Sequence, residues 1–172
     1  MQYTAHYDSS LGGITIASDG GALIGLWFDG QKHFAQTLGE EYVMKTVPVL
    51  DEARRWLDLY FSGSAPKSTP QIRMTASLFR QRVWQSLLRI PYGQATTYLA
   101  IAREIAAEKG LKTMSPQAIG SAVAHNPISL IVPCHRVVGA DGSLTGYAGG
   151  IDRKAELLRL EGLNVSPQYI IR

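Results

Sequence analysis

Ser115-Pro116-Gln117-Ala118-Ile119-Gly120-Ser121-Ala122-Val123-Ala124 reads as a helix that opens on a capping serine. The serine hydroxyl can accept from the first unpaired backbone N–H groups, and proline has no N–H to lose at the first helical position. Ile119 and Val123 are four residues apart and anchor one face, while Ala118, Gly120, Ser121, Ala122 and Ala124 are small. Upstream, the span from Thr97 to Glu108 puts Leu99, Ala102, Ile105 and Ala106 on one face and ends at the turn Lys109-Gly110-Leu111-Lys112. Further upstream, Ser77 to Leu88 reads as a helix with Phe79, Val83 and Leu87 in line with Ile90, stopped by Pro91-Tyr92-Gly93. Helix, short connection, helix is a helix-turn-helix arrangement. A helix that reads base edges in the major groove carries several Arg, Asn or Gln side chains. This one offers only Gln117, which favours a shape-based approach to a narrow surface such as the minor groove; a tightly packed core helix has the same composition.

The first part of the chain has a different texture. Residues 2–28 read as short strands, with Ile14-Thr15-Ile16-Ala17 and Ala22 to Phe28 flanking the hairpin signal Ser18-Asp19-Gly20-Gly21. From Val49 to Phe61, Leu50, Ala53, Leu57 and Tyr60 fall at helical spacing, with Asp51 and Glu52 in the first turn and Gly63 after the end. Ser62 to Pro70 reads as a linker. The expected architecture is α+β. A strand-rich N-terminal α/β domain with linker (1–75) precedes a mainly helical, winged-helix-like domain carrying the helix-turn-helix (76–172).

With 172 residues, 45% of them hydrophobic, the chain can bury a sizeable core. No apolar run approaches a membrane span, and no secretory signal is visible at Met1-Gln2-Tyr3-Thr4-Ala5-His6. Four histidines and one cysteine at scattered positions give no zinc spacing, so no metal is expected. Charge is unevenly spread. Residues 1–72 carry five Lys/Arg against eight acids, a net of −3; residues 73–172 carry twelve against six, a net of +6. The basic part suits a polyanion, and equally a soluble surface.

The one cysteine, Cys134, stands in Ile131-Val132-Pro133-Cys134-His135-Arg136-Val137-Val138. A lone thiol makes no internal disulfide, so it is either an inert packed side chain or a reagent. In a regular strand His135 would point away from Cys134; at a turn after Pro133 it could come close enough to act through a water. Glu161 is a candidate to orient that histidine. The loop Gly139 to Gly150, with Tyr147, suits a pocket wall against a flat ring, or a plain hairpin loop.

Ile90 to Tyr98, Asn126-Pro127-Ile128, Pro133 to Val137 and Gly142 to Gly150 stand in an order that closely resembles the O6-alkylguanine-DNA alkyltransferases (methylated-DNA–protein-cysteine methyltransferases). Arg153-Lys154 and Leu157-Leu158 to Glu161 continue the likeness, which covers roughly residues 77–162. The resemblance implies direct, irreversible, single-use transfer of the alkyl group from O6-alkylguanine, and from O4-alkylthymine, to Cys134, without cofactor. It implies His135 as the base acting through a water, Glu161 orienting it, and Asn126 bracing the turn. Tyr98 would help rotate the nucleotide out and hydrogen-bond it, and Val137, Tyr147, Ala148 and Gly149 would wall the pocket. The helix with Gln117, Ala118 and Ser121 would lie in the minor groove of double-stranded DNA.

The implied protein is a cytoplasmic monomer with no membrane and no obligatory protein partner. Two features depart from the family's pattern. Gln117 stands where an intercalating arginine is usual, and the segment Glu104 to Met114 is longer than usual, with Lys109 and Lys112 in it. The rival readings are a lesion-recognition protein with weak transfer, which Gln117 would suit, and a cysteine hydrolase with a Cys-His-Glu site.

Overall fold

A computed structural model describes residues 1–171. The chain divides into two units. The first is Met1–Met74 with Pro127–Ile131; the second is Thr75–Asn126 with Val132 onward. The sequence reading keeps all of 76–172 together, whereas the five residues 127–131 group with the first unit. They do so by pairing. Leu26 N–H donates to the Pro127 carbonyl at 2.9 Å, and Ser129 N–H to the Leu26 carbonyl at 3.0 Å.

The first unit is a four-stranded sheet with one helix. Strands β1 (Gln2–Ser9), β2 (Gly12–Ser18), β3 (Leu23–Phe28) and β4 (Tyr42–Met44) lie in the order β3-β2-β1-β4. The first three pair antiparallel, and β4 adds to β1 in parallel. Helix α1 (Pro48–Phe61) covers β1 and β2. Leu50, Ala53, Leu57 and Tyr60 are completely buried, as their helical spacing requires. A second cluster of Ala17, Ile24 and Trp27 is covered by Ala35 and Leu38. All of β3 is buried, which explains its unbroken apolar run.

The second unit is built on α2 (Leu78–Leu88), α3 (Tyr98–Glu108) and α4 (Pro116–Ala124). Each begins on a hydroxyl cap: Ser77 accepts from Arg80 N–H, Thr97 from Ala100 N–H and Ser115 from Ala118 N–H. Helix α4 packs on both α2 and α3, burying Ile119, Ala122 and Val123. The Trp84 indole N–H donates to the Ala122 carbonyl at 2.8 Å, a contact that the small residues of α4 allow. On α3 the buried face is Ile101, Ala102, Ile105 and Ala106, with Leu99 only half-buried. Short strands β5 (Thr96–Thr97) and β6 (Val137–Val138) pair in parallel, and α5 (Ile151–Leu160) follows the glycine-rich loop. Val138, Leu144, Ala155, Leu158 and Val165 form a separate apolar cluster there. Among the described residues no helix is long and apolar enough to cross a membrane.

Candidate active site

The apolar run ends at Pro133, which has no N–H to continue a ladder. The chain turns there (φ −83°, ψ 66°) into one turn of 3-10 helix, Cys134–Arg136. Side chains of consecutive residues then diverge by about 120° rather than pointing to opposite faces. The turn alternative for Cys134 and His135 is therefore the one realised. The Val132 carbonyl accepts twice: from Cys134 N–H at 2.8 Å and from buried Asn126 Nδ2 at 2.8 Å. Asn126 thus ties the two ends of the 127–131 excursion. Cys134 is buried, 5% exposed.

His135 and Glu161 meet with both side chains fully enclosed, Nε2 lying 2.5 Å from Oε2. The other carboxylate oxygen accepts from Arg136 Nε at 2.7 Å and from Gly93 N–H at 2.9 Å. Arg136 also donates through Nη1 to the Ile90 carbonyl at 2.7 Å, and its guanidinium lies 5.8 Å from the Tyr92 ring centre. The Tyr92 hydroxyl donates to the Leu160 carbonyl at 3.3 Å. The turn Pro91-Tyr92-Gly93 therefore wraps the acid. Gly93 has φ +78°, and a Cβ there would stand 3.2 Å from the Glu161 carbonyl. Glu161 itself is the residue that ends α5.

Burial alone would raise the Glu161 carboxyl. The hydrogen bond and charge of His135, with the charge and hydrogen bond of Arg136, outweigh it and hold the group at about 2. Burial pulls His135 below its ordinary value; the bond and charge of Glu161 oppose this, and the charges of Arg136 and Lys154 add to it. At neutral pH the pair is a carboxylate and a neutral imidazole. The carboxylate can only accept, so the ring proton sits on Nε2 and the basic lone pair on Nδ1.

Tyr98 opens α3, and its hydroxyl donates to the Thr145 carbonyl at 2.9 Å. Burial and the charge of Cys134 push its phenol up to about 12, against the bond to Thr145. A cavity of about 330 Å³ is lined by Tyr98, by Pro116, Gln117, Gly120 and Ala124 of α4, and by Thr145 and Gly146. That is within the usual size of small-molecule sites. Val137, Tyr147 and Gly149 are buried and Ala148 half-buried. The Tyr147 ring lies on Gly149 so closely that a Cβ there would be 2.6 Å from Cε2. Gln117, Ala118 and Ser121 are exposed on α4, and the Ser115 hydroxyl donates to Gln117 Oε1 at 2.8 Å. Lys109 Nζ sits 5.2 Å from the Phe79 ring centre, and Lys112 is exposed. Among the described residues, no group of three or more His, Cys, Asp or Glu side chains could hold a metal ion.

The structure therefore gathers the expected residues into three neighbourhoods: Cys134 with Asn126, His135 with Glu161, and Tyr98 with Gln117. It adds Gly93, Arg136 and Lys154, whose parts have no periodic or spacing signal.

Residues 78–163 match the family model of the DNA-binding domain of 6-O-methylguanine DNA methyltransferase. Residues 2–72 match the model of that protein's ribonuclease-like domain. The chain belongs to the 6-O-methylguanine DNA methyltransferase family. It is 38% identical over 161 residues to the methylated-DNA--protein-cysteine methyltransferase of Mycobacterium leprae, covering 94% of this chain and 93% of that one. The enzyme of the same name from Methanosarcina acetivorans is 38% identical over 166 residues, covering 93% and 98%. The crystal structure of Mycobacterium tuberculosis OGT in complex with DNA superposes with a TM-score of 0.81 at 38% identity, covering 92% of each chain. The strand-rich first part and helical second part are thus the family's α+β architecture.

Proposed function

We propose that this methyltransferase-family chain repairs DNA by moving the alkyl group of O6-alkylguanine, and of O4-alkylthymine, onto Cys134 Sγ in a single irreversible event. One observation carries the reading: the only cysteine of the chain is buried directly before a fully enclosed His135–Glu161 pair. His135 Nδ1 takes the thiol proton through a water, and Glu161 stabilises the imidazolium that results. The thiolate attacks the alkyl carbon. The S–C bond forms as the C–O6 bond breaks, and the electron pair leaves on guanine, which then takes up a proton. A thioether does not hydrolyse, and the sequence has no second cysteine to release it, so each molecule acts once. The displacement is redox-neutral and calls for no cofactor.

The target atom is inaccessible within the stack, so the nucleotide must rotate out. Tyr98 assists the rotation and hydrogen-bonds the base; Val137, Tyr147, Ala148 and Gly149 wall the pocket; Asn126 keeps the acceptor turn in shape. Helix α4 meets the minor groove of double-stranded DNA through Gln117, Ala118 and Ser121, with the working residues all in the 76–172 part. Gln117, shorter and uncharged, fills the space of the departed base less well than arginine would. The protein acts as a monomer in the cytoplasm, where a free thiol stays reduced. The lesion-binding alternative is not favoured, because relatives matching nearly the whole chain are named as methyltransferases.

The test is intact mass after mixing with a duplex oligonucleotide bearing O6-methylguanine. A stoichiometric gain of one methyl, mapped to Cys134, is expected. Tight binding without a mass gain would refute transfer.

A further inference from the structure

Among the described residues the second unit buries four side chains of the His, Lys, Arg, Asp and Glu types, and three of them, His135, Arg136 and Glu161, form the hydrogen-bonded cluster described above. The fourth is Lys154, in the first turn of α5, with no exposed surface at all. Its Nζ donates to the Val137 carbonyl at 2.5 Å and the Thr145 carbonyl at 2.8 Å, and lies 5.7 Å from the Tyr98 ring centre. Its hydrogen-bond partners are therefore two carbonyls and not a carboxylate. Carbonyl dipoles and a ring face supply only partial negative charge, and an enclosed ammonium calls for a full one. Val137 lies three residues after Cys134, and the charge of Cys134 reaches both Lys154 and Tyr98.

We propose that Lys154 is the fixed counter-charge of the Cys134 thiolate. Its ammonium, pinned between the Val137 and Thr145 carbonyls over the Tyr98 ring, stabilises the thiolate that is left when His135 takes the thiol proton. Lys154 is then a positioning residue, acting through Cys134, and the proposal rests on Cys134 being the alkyl acceptor. Cationic side chains beside a thiol lower its pKa and raise its reactive fraction. The other groups facing the pair fit this arrangement. His135 is a neutral imidazole, and the charge of Lys154 helps keep it so. The Tyr98 phenol is held protonated, so it brings no competing anion. Arg136 is taken up by Glu161. Burial draws Lys154 down to about 8, and the charge of Cys134 works against that fall.

The test follows the rate of Cys134 alkylation by iodoacetamide, a small reagent that needs no DNA, across pH. In Lys154→Met the midpoint should rise by about one pH unit, making the reaction about tenfold slower below both midpoints. Lys154→Arg, which keeps the charge, should stay near the wild type. A Lys154→Met midpoint equal to wild type would overturn the proposal and reduce Lys154 to a structural tie. If Lys154→Met does not fold, the coupling is read from the other side, because mutual effects on proton binding are reciprocal. The Lys154 side chain is titrated by NMR with 13C-labelled lysine in wild type and in Cys134→Ser. Removal of the anion should lower its midpoint, and an unchanged midpoint overturns the proposal. Methyl uptake by wild type from the O6-methylguanine duplex is measured alongside. Uptake with no change of midpoint refutes the counter-charge alone, whereas no uptake refutes the repair reading itself.

Discussion

In the first unit the buried polar residues are Thr4, Ser18, Gln31 and Ser129, none of them charged; in the second they include His135, Arg136, Lys154 and Glu161. The first unit follows the rule that interiors are apolar and that buried polar groups are few and neutral. The second takes ions out of water, which offsets most of what their mutual attraction contributes. Evolution has no stability motive for that choice when apolar residues would fill the same space. The difference teaches where to look for chemistry: in the part of a protein whose core is electrostatically expensive.

The comparison breaks most sharply at Cys134. Cys134→Ser should abolish methyl transfer, measured by mass, while the thermal unfolding midpoint stays within a few degrees, since serine is nearly isosteric. Methyl on any other residue of the wild type would contradict the assignment. Next come His135→Ala and Glu161→Ala. Each should slow single-turnover transfer by roughly 10²- to 10⁴-fold, and the double variant by little more than either alone. Additive losses would mean that the two act separately. In the first unit the effect should appear as stability. Leu57→Ala empties a fully enclosed site on α1 and should cost about 2–5 kcal/mol in denaturant unfolding. The transfer rate of the folded protein should not change, and a slowed rate would show that the first unit shapes the chemistry.

The elements that were legible in the sequence obey simple periodicities. Leu50, Ala53, Leu57 and Tyr60 mark α1, and Ser115-Pro116 marks the start of α4. Strand β4 was not legible because Tyr42, Val43 and Met44 are all exposed at a sheet edge and show no alternation. Helix α5 carries no assignment from the sequence because Asp152, Arg153, Lys154, Glu156 and Arg159 blur any apolar stripe, and Lys154 is buried all the same. At the site, the adjacency of Cys134 and His135 left the geometry open between strand and turn, and Glu161 was one acid among several in that part of the chain. Its contact with Gly93 runs through a backbone N–H, which any residue but proline carries, so no side-chain pattern could announce it.

Two smaller effects sharpen the same contrast. Glu161 ionises at about 2 in the fold against an ordinary 4.5, so its stabilising contribution is complete above about pH 4.5 and is lost as pH falls toward 2. His135 binds its proton less readily folded than unfolded, so acid also weakens the fold from about pH 6.5 downward. Denaturant unfolding from pH 7 to 3 should show stability falling throughout. In Glu161→Gln the fall below pH 4.5 should be shallower, and an identical slope would mean the carboxylate is not what acid attacks. The smallest effect is expected at the surface of α4. Gln117→Arg should speed repair of the duplex lesion several-fold and leave the reaction with free O6-benzylguanine unchanged. Equal duplex rates would assign the filling role to other residues.

The acid at position 161 is held by groups from three separate stretches: Gly93, the pair His135 and Arg136, and its own helix end. No stretch of chain carries the whole relay, so an unfolded molecule has only an ordinary cysteine. On the proposed mechanism the thiol is therefore a built-in gauge of nativeness. The labelled fraction in a brief pulse of electrophile counts properly assembled molecules, and a misfolded copy is spared from being spent on stray alkylating agents.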